Sequence, residues 1–185
     1  MESWSSSITL ALQQAGFNVT LAGDIPDNLD DYDLVVLFAY YAIEPRHEPL
    51  IREYVSNGGS VVILAGAQCY FTQYSKQLST YNTAMPIWFG CSSYLNAGGS
   101  ASSAIDNPFG TSFSNGTVIF TGVPGGFSYA GVYSLNANAT AIAFWDSGME
   151  YWDSGIAFRG PRAVFAFTHE YGHGRVYYQA IVEVI

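Results

Sequence analysis

Apolar positions along this chain switch between helical and strand spacing, and the switches outline its elements. Ile8, Leu12 and Ala15 recur on one helical face behind Ser5, Ser6 and Ser7, which offer N-caps, and Gly16 follows as a stop. Phe17-Asn18-Val19-Thr20-Leu21 then reads as a short strand, and residues 24–33 form a polar, turn-rich loop. The continuous apolar run Leu34-Val35-Val36-Leu37-Phe38-Ala39 predicts a strand buried on both faces. A helix follows over about 45–56, burying Leu50, Ile51, Tyr54 and Val55 and ending at Asn57-Gly58-Gly59. Ser60-Val61-Val62-Ile63-Leu64-Ala65 reads as another buried strand. Strand, helix and strand with short connections predict a right-handed parallel crossover.

From Gln68 to Gly116 the pattern dissolves into Ser, Asn, Gly and aromatics, read as a short helix and a long surface excursion. Strands return at 117–121, 139–145, 163–168 and 175–184. The last two, joined by a Gly-rich turn, predict an antiparallel hairpin at the sheet edge. The expected architecture is a single α/β domain over residues 1–185: a three-layer α/β/α fold with a mostly parallel sheet, a C-terminal antiparallel hairpin, and an irregular aromatic-rich insertion at about 70–116. Trp145-Asp146-Ser147-Gly148 recurs as Trp152-Asp153-Ser154-Gly155, a short echo expected beside a local turn.

Charge narrows the partners. Only 11% of residues are charged and Lys76 is the sole lysine, so Ser, Thr, Asn, Gly and Tyr must cover much of the surface. A net charge of −9 with five scattered arginines argues against nucleic acid, whose phosphates require Lys and Arg. No apolar run approaches the length of a membrane span. Met1-Glu2-Ser3-Trp4 lacks the basic start of a signal peptide. Sequons at Asn18, Asn115 and Asn138, together with the scarcity of lysine, nevertheless point to an extracellular or cell-surface setting with glycosylation at those three asparagines. Cys69 and Cys91 are compatible with a disulfide or with two free thiols.

Three segments, Leu29-Asp30-Asp31-Tyr32-Asp33-Leu34-Val35-Val36-Leu37, residues 51–63 from Ile51-Arg52 through Gly58-Gly59 to Ile63, and residues 169–178 with Tyr171-Gly172-His173-Gly174-Arg175-Val176, share an order and spacing with a known family. In these the chain resembles the class I glutamine amidotransferase-like (flavodoxin-like) superfamily, nearest its trehalose-utilisation (ThuA-like) branch. The resemblance implies a flavodoxin-like fold and a site at the carboxyl rim of the strands. It also implies a catalytic cysteine on a Gly-x-Cys-x-Gly turn. Here the turn reads Ala65-Gly66-Ala67-Gln68-Cys69-Tyr70, with Cys69 late and no glycine after it, which argues against a working cysteine enzyme. That fold also opens with a central strand ahead of its first helix. Its slot, between residues 17–21 and 34–39, is expected either to close up or to be filled by a strand of another chain, and self-association is expected through that edge or through the aromatic loops.

Several constellations bear on chemistry. His169-Glu170-Tyr171-Gly172-His173 matches the zinc-protease pattern literally. That chemistry needs a helix, whereas strand-like residues flank this segment and Gly172 and Gly174 weaken any helix. A polar hairpin turn is the expected reading, with no metal or cofactor. At the strand rim, Glu44, Arg46, His47, Gln68 and Cys69 are candidates for a polar pocket, with Tyr40, Tyr41 and Tyr70 beside them. The competing reading is that Glu44, Arg46 and His47 only begin a helix. Asp27, Asp30, Asp31 and Asp33 fit no calcium loop and read as a solvated turn, as do Asp146, Glu150 and Asp153. Thirty of the 185 residues are aromatic, many within the irregular stretch, suited either to glycan or protein contacts or to a second small core. Two functions follow. One is a non-catalytic extracellular binding or self-assembly module; the other is a hydrolase or amidotransferase-like enzyme on a carbohydrate-related or small amide substrate, using Cys69, Glu44 or His47.

Overall fold

The computed structural model describes residues 2–38, 46–64, 87–97, 100–106, 112–121, 129–145, 150–153, 156–159 and 164–180. Helix α1 (Glu2–Gln14) starts ahead of the serines that the sequence offers as caps. Strand β1 (Leu34–Phe38), helix α2 (His47–Ser56) and strand β2 (Ser60–Leu64) form the crossover, with β1 and β2 parallel in the register Leu34 opposite Ser60. Alternation along β2 assigns the two helices to opposite faces of this end of the sheet. Val61 and Ile63 pack with Ile51, Tyr54 and Val55 of α2, whereas Val62 and Leu64 pack with Ile8 and Leu12 of α1.

Beyond this end the sheet departs from expectation. Among the described residues, strands β3 (Cys91–Ala97), β4 (Ala101–Ser103), β5 (Val118–Phe120), β6 (Tyr129–Leu135), β7 (Ala139–Trp145), β10 (Val164–Tyr171) and β11 (Gly174–Gln179) complete a nine-stranded mixed sheet, ordered β1-β2-β11-β10-β7-β4-β5. Strand β6 joins β10 and carries β3. A separate two-stranded ladder pairs β8 (Glu150–Asp153) with β9 (Ile156–Arg159), across the second copy of the Trp-Asp-Ser-Gly echo. Among the described residues only β1–β2 and β2–β11 run parallel. The three-layer, mostly parallel flavodoxin-like fold is therefore corrected to a mixed, mostly antiparallel sheet. Parallel neighbours need a crossover of a dozen or more residues, and tight turns such as Gly172-His173 force antiparallel pairing.

Two placements are corrected with it. The β10–β11 hairpin does not lie at the sheet edge, because β11 sits between β2 and β10. Residues 17–21 do not form a strand; Phe17 and Leu21 are 43% and 67% exposed. No slot is left between that segment and β1. Instead, among the described residues, β1 is the sheet's edge.

The core joins both halves. Trp88 and Phe89, on a 3₁₀ turn (Ile87–Phe89) within the stretch expected to be irregular, are fully buried. Phe89 packs edge-on against Phe167 and Tyr178, and Trp145 packs edge-on against Phe165 at 4.9 Å. These aromatics fill the interior; they are not presented to solvent.

Candidate functional site

The two segments richest in resemblance pack on each other. The hairpin turn between β10 and β11 docks on the C-terminus of α2, where the last carbonyls of a helix lack partners. The His173 N–H donates to the Ser56 carbonyl at 3.0 Å, and the Arg175 N–H donates to the Gly59 carbonyl at 3.2 Å. Both flanking glycines are required by this approach. Gly172 has φ +60° and a Cβ there would lie 2.5 Å from the Ser56 oxygen, while a Cβ on Gly174 would overlap the carbonyl oxygens of Val55 and Gly59. The glycines of the motif thus serve close backbone contact.

The same geometry answers the zinc pattern. His169 is buried on β10, His173 sits on the exposed turn, and Glu170 pairs across the hairpin with Arg175 at 3.0 Å. The two histidines do not share a helical face.

At the opposite end of α2 lies the strand rim. Of the rim candidates, Tyr40, Tyr41, Glu44, Gln68, Cys69 and Tyr70 lie outside the described residues, and Arg46 and His47 are described. Arg46 is the N-cap of α2, without a side-chain capping bond, and His47 is its first residue. The Asp24 carboxylate joins both: the Arg46 guanidinium donates to Oδ2 at 2.7 Å and His47 Nε2 lies 3.4 Å from Oδ1. His47 is 7% exposed and Asp24 61%. The Ile25 N–H, donating to Asp24 Oδ1 at 2.8 Å, is the main cause holding that carboxyl below the usual carboxylate range; desolvation opposes it, and Arg46 and His47 add to it. Glu48, one position on, accepts from Trp88 Nε1 at 3.0 Å and ties α2 to the core.

Asp24 was legible only as part of a polar loop, because its partners stand 22 and 23 residues away. A lowered carboxyl stabilises the fold above the ordinary carboxylate range, and that contribution fades as pH falls through the lowered value. Asp24→Asn is therefore expected to melt below the parent chain near neutral pH and to converge with it in strong acid. Thermal melts across pH check this.

The remaining candidates are simply placed. Asn28 organises the acidic loop, its Oδ1 accepting from the Asp30 N–H at 3.0 Å, so Asp27, Asp30, Asp31 and Asp33 surround a local turn. No group of three acidic, His or Cys side chains converges among the described residues. Asn18, Asn115 and Asn138 are all exposed. Cys91 lies on β3, and Asp146 lies outside the described residues. Among the described residues no helix is long and apolar enough to cross a membrane.

No protein-family profile matches the chain, and no curated protein does. Solved structures do. A cytoplasmic protein from Salmonella typhimurium, STM3548, superposes with TM-score 0.58 at 16% identity, covering 97% of this chain and 74% of that one. A second Salmonella typhimurium cytoplasmic protein, STM1381, gives TM-score 0.47 at 15% identity over 85% of this chain and 64% of its own. A β-galactosidase from Rahnella sp. R3 gives 0.40 at 17% identity, this chain covering 83% of itself and 20% of the enzyme. At these identities the first likeness concerns the fold alone. The name of STM3548 places that neighbour in the cytoplasm, and the extracellular or cell-surface setting read from the sequons and low charge is withdrawn.

Proposed function

We infer that this chain is a non-catalytic module whose role is binding, and specifically self-assembly, through the open edge of its sheet. The observation that carries this reading is β1. Its composition, Leu34-Val35-Val36-Leu37-Phe38, is that of a strand flanked on both sides, yet among the described residues it pairs with β2 alone. Leu34, Val35, Val36 and Leu37 are each only half-buried. Natural edge strands carry charges, prolines or bulges that discourage pairing, and β1 carries none. An added strand would satisfy several backbone groups, each bond contributing about 0.5–1.5 kcal/mol net.

Gly172 and Gly174 hold the hairpin against α2 and serve packing. At the described part of the rim, Arg46 and His47 are engaged by Asp24 in a way that stabilises the start of a helix. Sedimentation velocity across the micromolar range tests the reading. A concentration-dependent species of twice the chain mass is expected, and a monomer throughout would end it.

A further inference from the structure

We propose that Asn57 is a modification site, losing its side-chain amide by cyclisation onto the Gly58 nitrogen, and that the docked β10–β11 hairpin is the gate on that reaction. The chain has two Asn-Gly pairs, Asn57-Gly58 and Asn115-Gly116, and both asparagines are exposed. Glycine after asparagine favours this chemistry, because no side chain crowds the attacking nitrogen and the backbone can turn freely. The Gly58 nitrogen, having given its proton to solvent, bonds to Asn57 Cγ. The Cγ–Nδ2 bond breaks, and the amide nitrogen takes up a proton and leaves as ammonia. Water then opens the cyclic imide at either carbonyl, giving aspartate or an isoaspartate whose main chain runs through the former side chain.

The fold opposes ring closure at Asn57. This residue ends α2 with φ −84° and ψ 0°, which turns the Gly58 nitrogen away from Cβ, so closure requires ψ to rotate. The Gly58 N–H is also engaged, donating to the Val55 carbonyl at 3.1 Å, and the Gly59 N–H donates to the Tyr54 carbonyl at 2.9 Å. The hairpin brackets the pair, with His173 N–H on the Ser56 carbonyl before it and Arg175 N–H on the Gly59 carbonyl after it. Rotating ψ at Asn57 moves one of those carbonyls relative to the other, so the ring closes only when the hairpin lifts. Asn115-Gly116 is held differently, in a local turn where the Gly116 N–H donates to the Ser103 carbonyl at 2.9 Å and the Thr117 N–H to the Ser114 carbonyl at 3.0 Å. It lies beside β5, across the sheet from α2, and serves as an internal reference. Isoaspartate adds a backbone carbon between the Ser56 and Gly59 carbonyls and puts a negative charge at the carboxyl end of α2, where the helix dipole disfavours one. The hairpin cannot then regain its seat, and the reaction makes the opening one-way.

The test holds the full chain in mildly alkaline buffer and follows both asparagines by peptide mapping, which separates the acid products from the amide by mass and elution. In the folded parent chain Asn57 is expected to react far more slowly than in the urea-unfolded chain. Gly174→Ala, whose methyl meets the Val55 and Gly59 carbonyl oxygens and lifts the hairpin, is expected to speed Asn57 about tenfold, following the population of the opened form. Asn115 is expected to keep its rate in that variant, and both asparagines to keep theirs in Gly23→Ala. Urea below the unfolding transition of the parent chain gives a second reading, which decides the matter if Gly174→Ala unfolds outright. There Asn57 is expected to accelerate at lower urea than Asn115. Three results would each overturn the gate: reaction of Asn57 at its unfolded rate in the folded parent, an unchanged Asn57 rate in folded Gly174→Ala, or acceleration of both asparagines together with urea.

Discussion

Gly174→Ala is expected to lower stability by about 3 kcal/mol or more, at or beyond the top of the usual range for overpacking. The added methyl meets the Val55 and Gly59 carbonyl oxygens at once. Both are backbone atoms, held by the end of α2 and by the start of β2, so neither side can rotate away. Relief requires the hairpin to lift from the helix, and lifting it costs the His173-to-Ser56 and Arg175-to-Gly59 hydrogen bonds as well. For a chain of this size that loss corresponds to a fall in melting temperature of about 6–12 °C. Gly23→Ala supplies the control. Nothing lies within 4 Å of a Cβ there, and a change within about 0.5 kcal/mol of zero is expected. Equal melting of the two variants would show that the hairpin does not bear on α2.

Trp88→Ala is expected to cost about 3–5 kcal/mol, the range for truncating a buried aromatic. Trp88 is fully buried, packs edge-on with Phe89 at 6.0 Å, and reaches α2 through Glu48. Its removal opens a cavity where the helix, the 3₁₀ turn and the antiparallel strands meet. Trp88→Phe separates packing from hydrogen bonding. It keeps a ring in the cavity but leaves the half-buried Glu48 carboxylate without its indole donor, at an expected cost of about 1.5–3 kcal/mol. The variant Trp88→Phe/Glu48→Gln should recover part of that loss in urea unfolding. If the double variant recovers nothing, the indole bond is not what ties α2 down.

Legibility of the fold followed local periodicity. Helix α2 and strands β2, β7, β10 and β11 were readable because apolar spacing, glycine stops and a tight turn agree at those places. Strand β3 was not, since Cys91-Ser92-Ser93-Tyr94-Leu95-Asn96-Ala97 has the composition of a loop and is made a strand by pairing with β6. The hairpin was readable as a pair, but its position beside β2 is a long-range fact with no local mark. Residues 17–21 alternate as a strand should, yet alternation without a neighbouring ladder leaves coil. The rim shows the same limit. Arg46 and His47 were visible as polar residues at a helix start, whereas Asp24, which binds both, carried only the signature of a turn. Strand β1 is the informative case. Its sequence reads as a strand enclosed on both sides, yet among the described residues it pairs with β2 alone.

Amide hydrogen exchange followed against protein concentration tests that point most directly. Strand β2 lies between β1 and β11, so its amides serve as an internal reference. Pairing through the edge predicts that exchange at Leu34–Phe38 slows as concentration rises, while exchange at Ser60–Leu64 stays constant. Exchange at Leu34–Phe38 that is the same at every concentration would contradict the account.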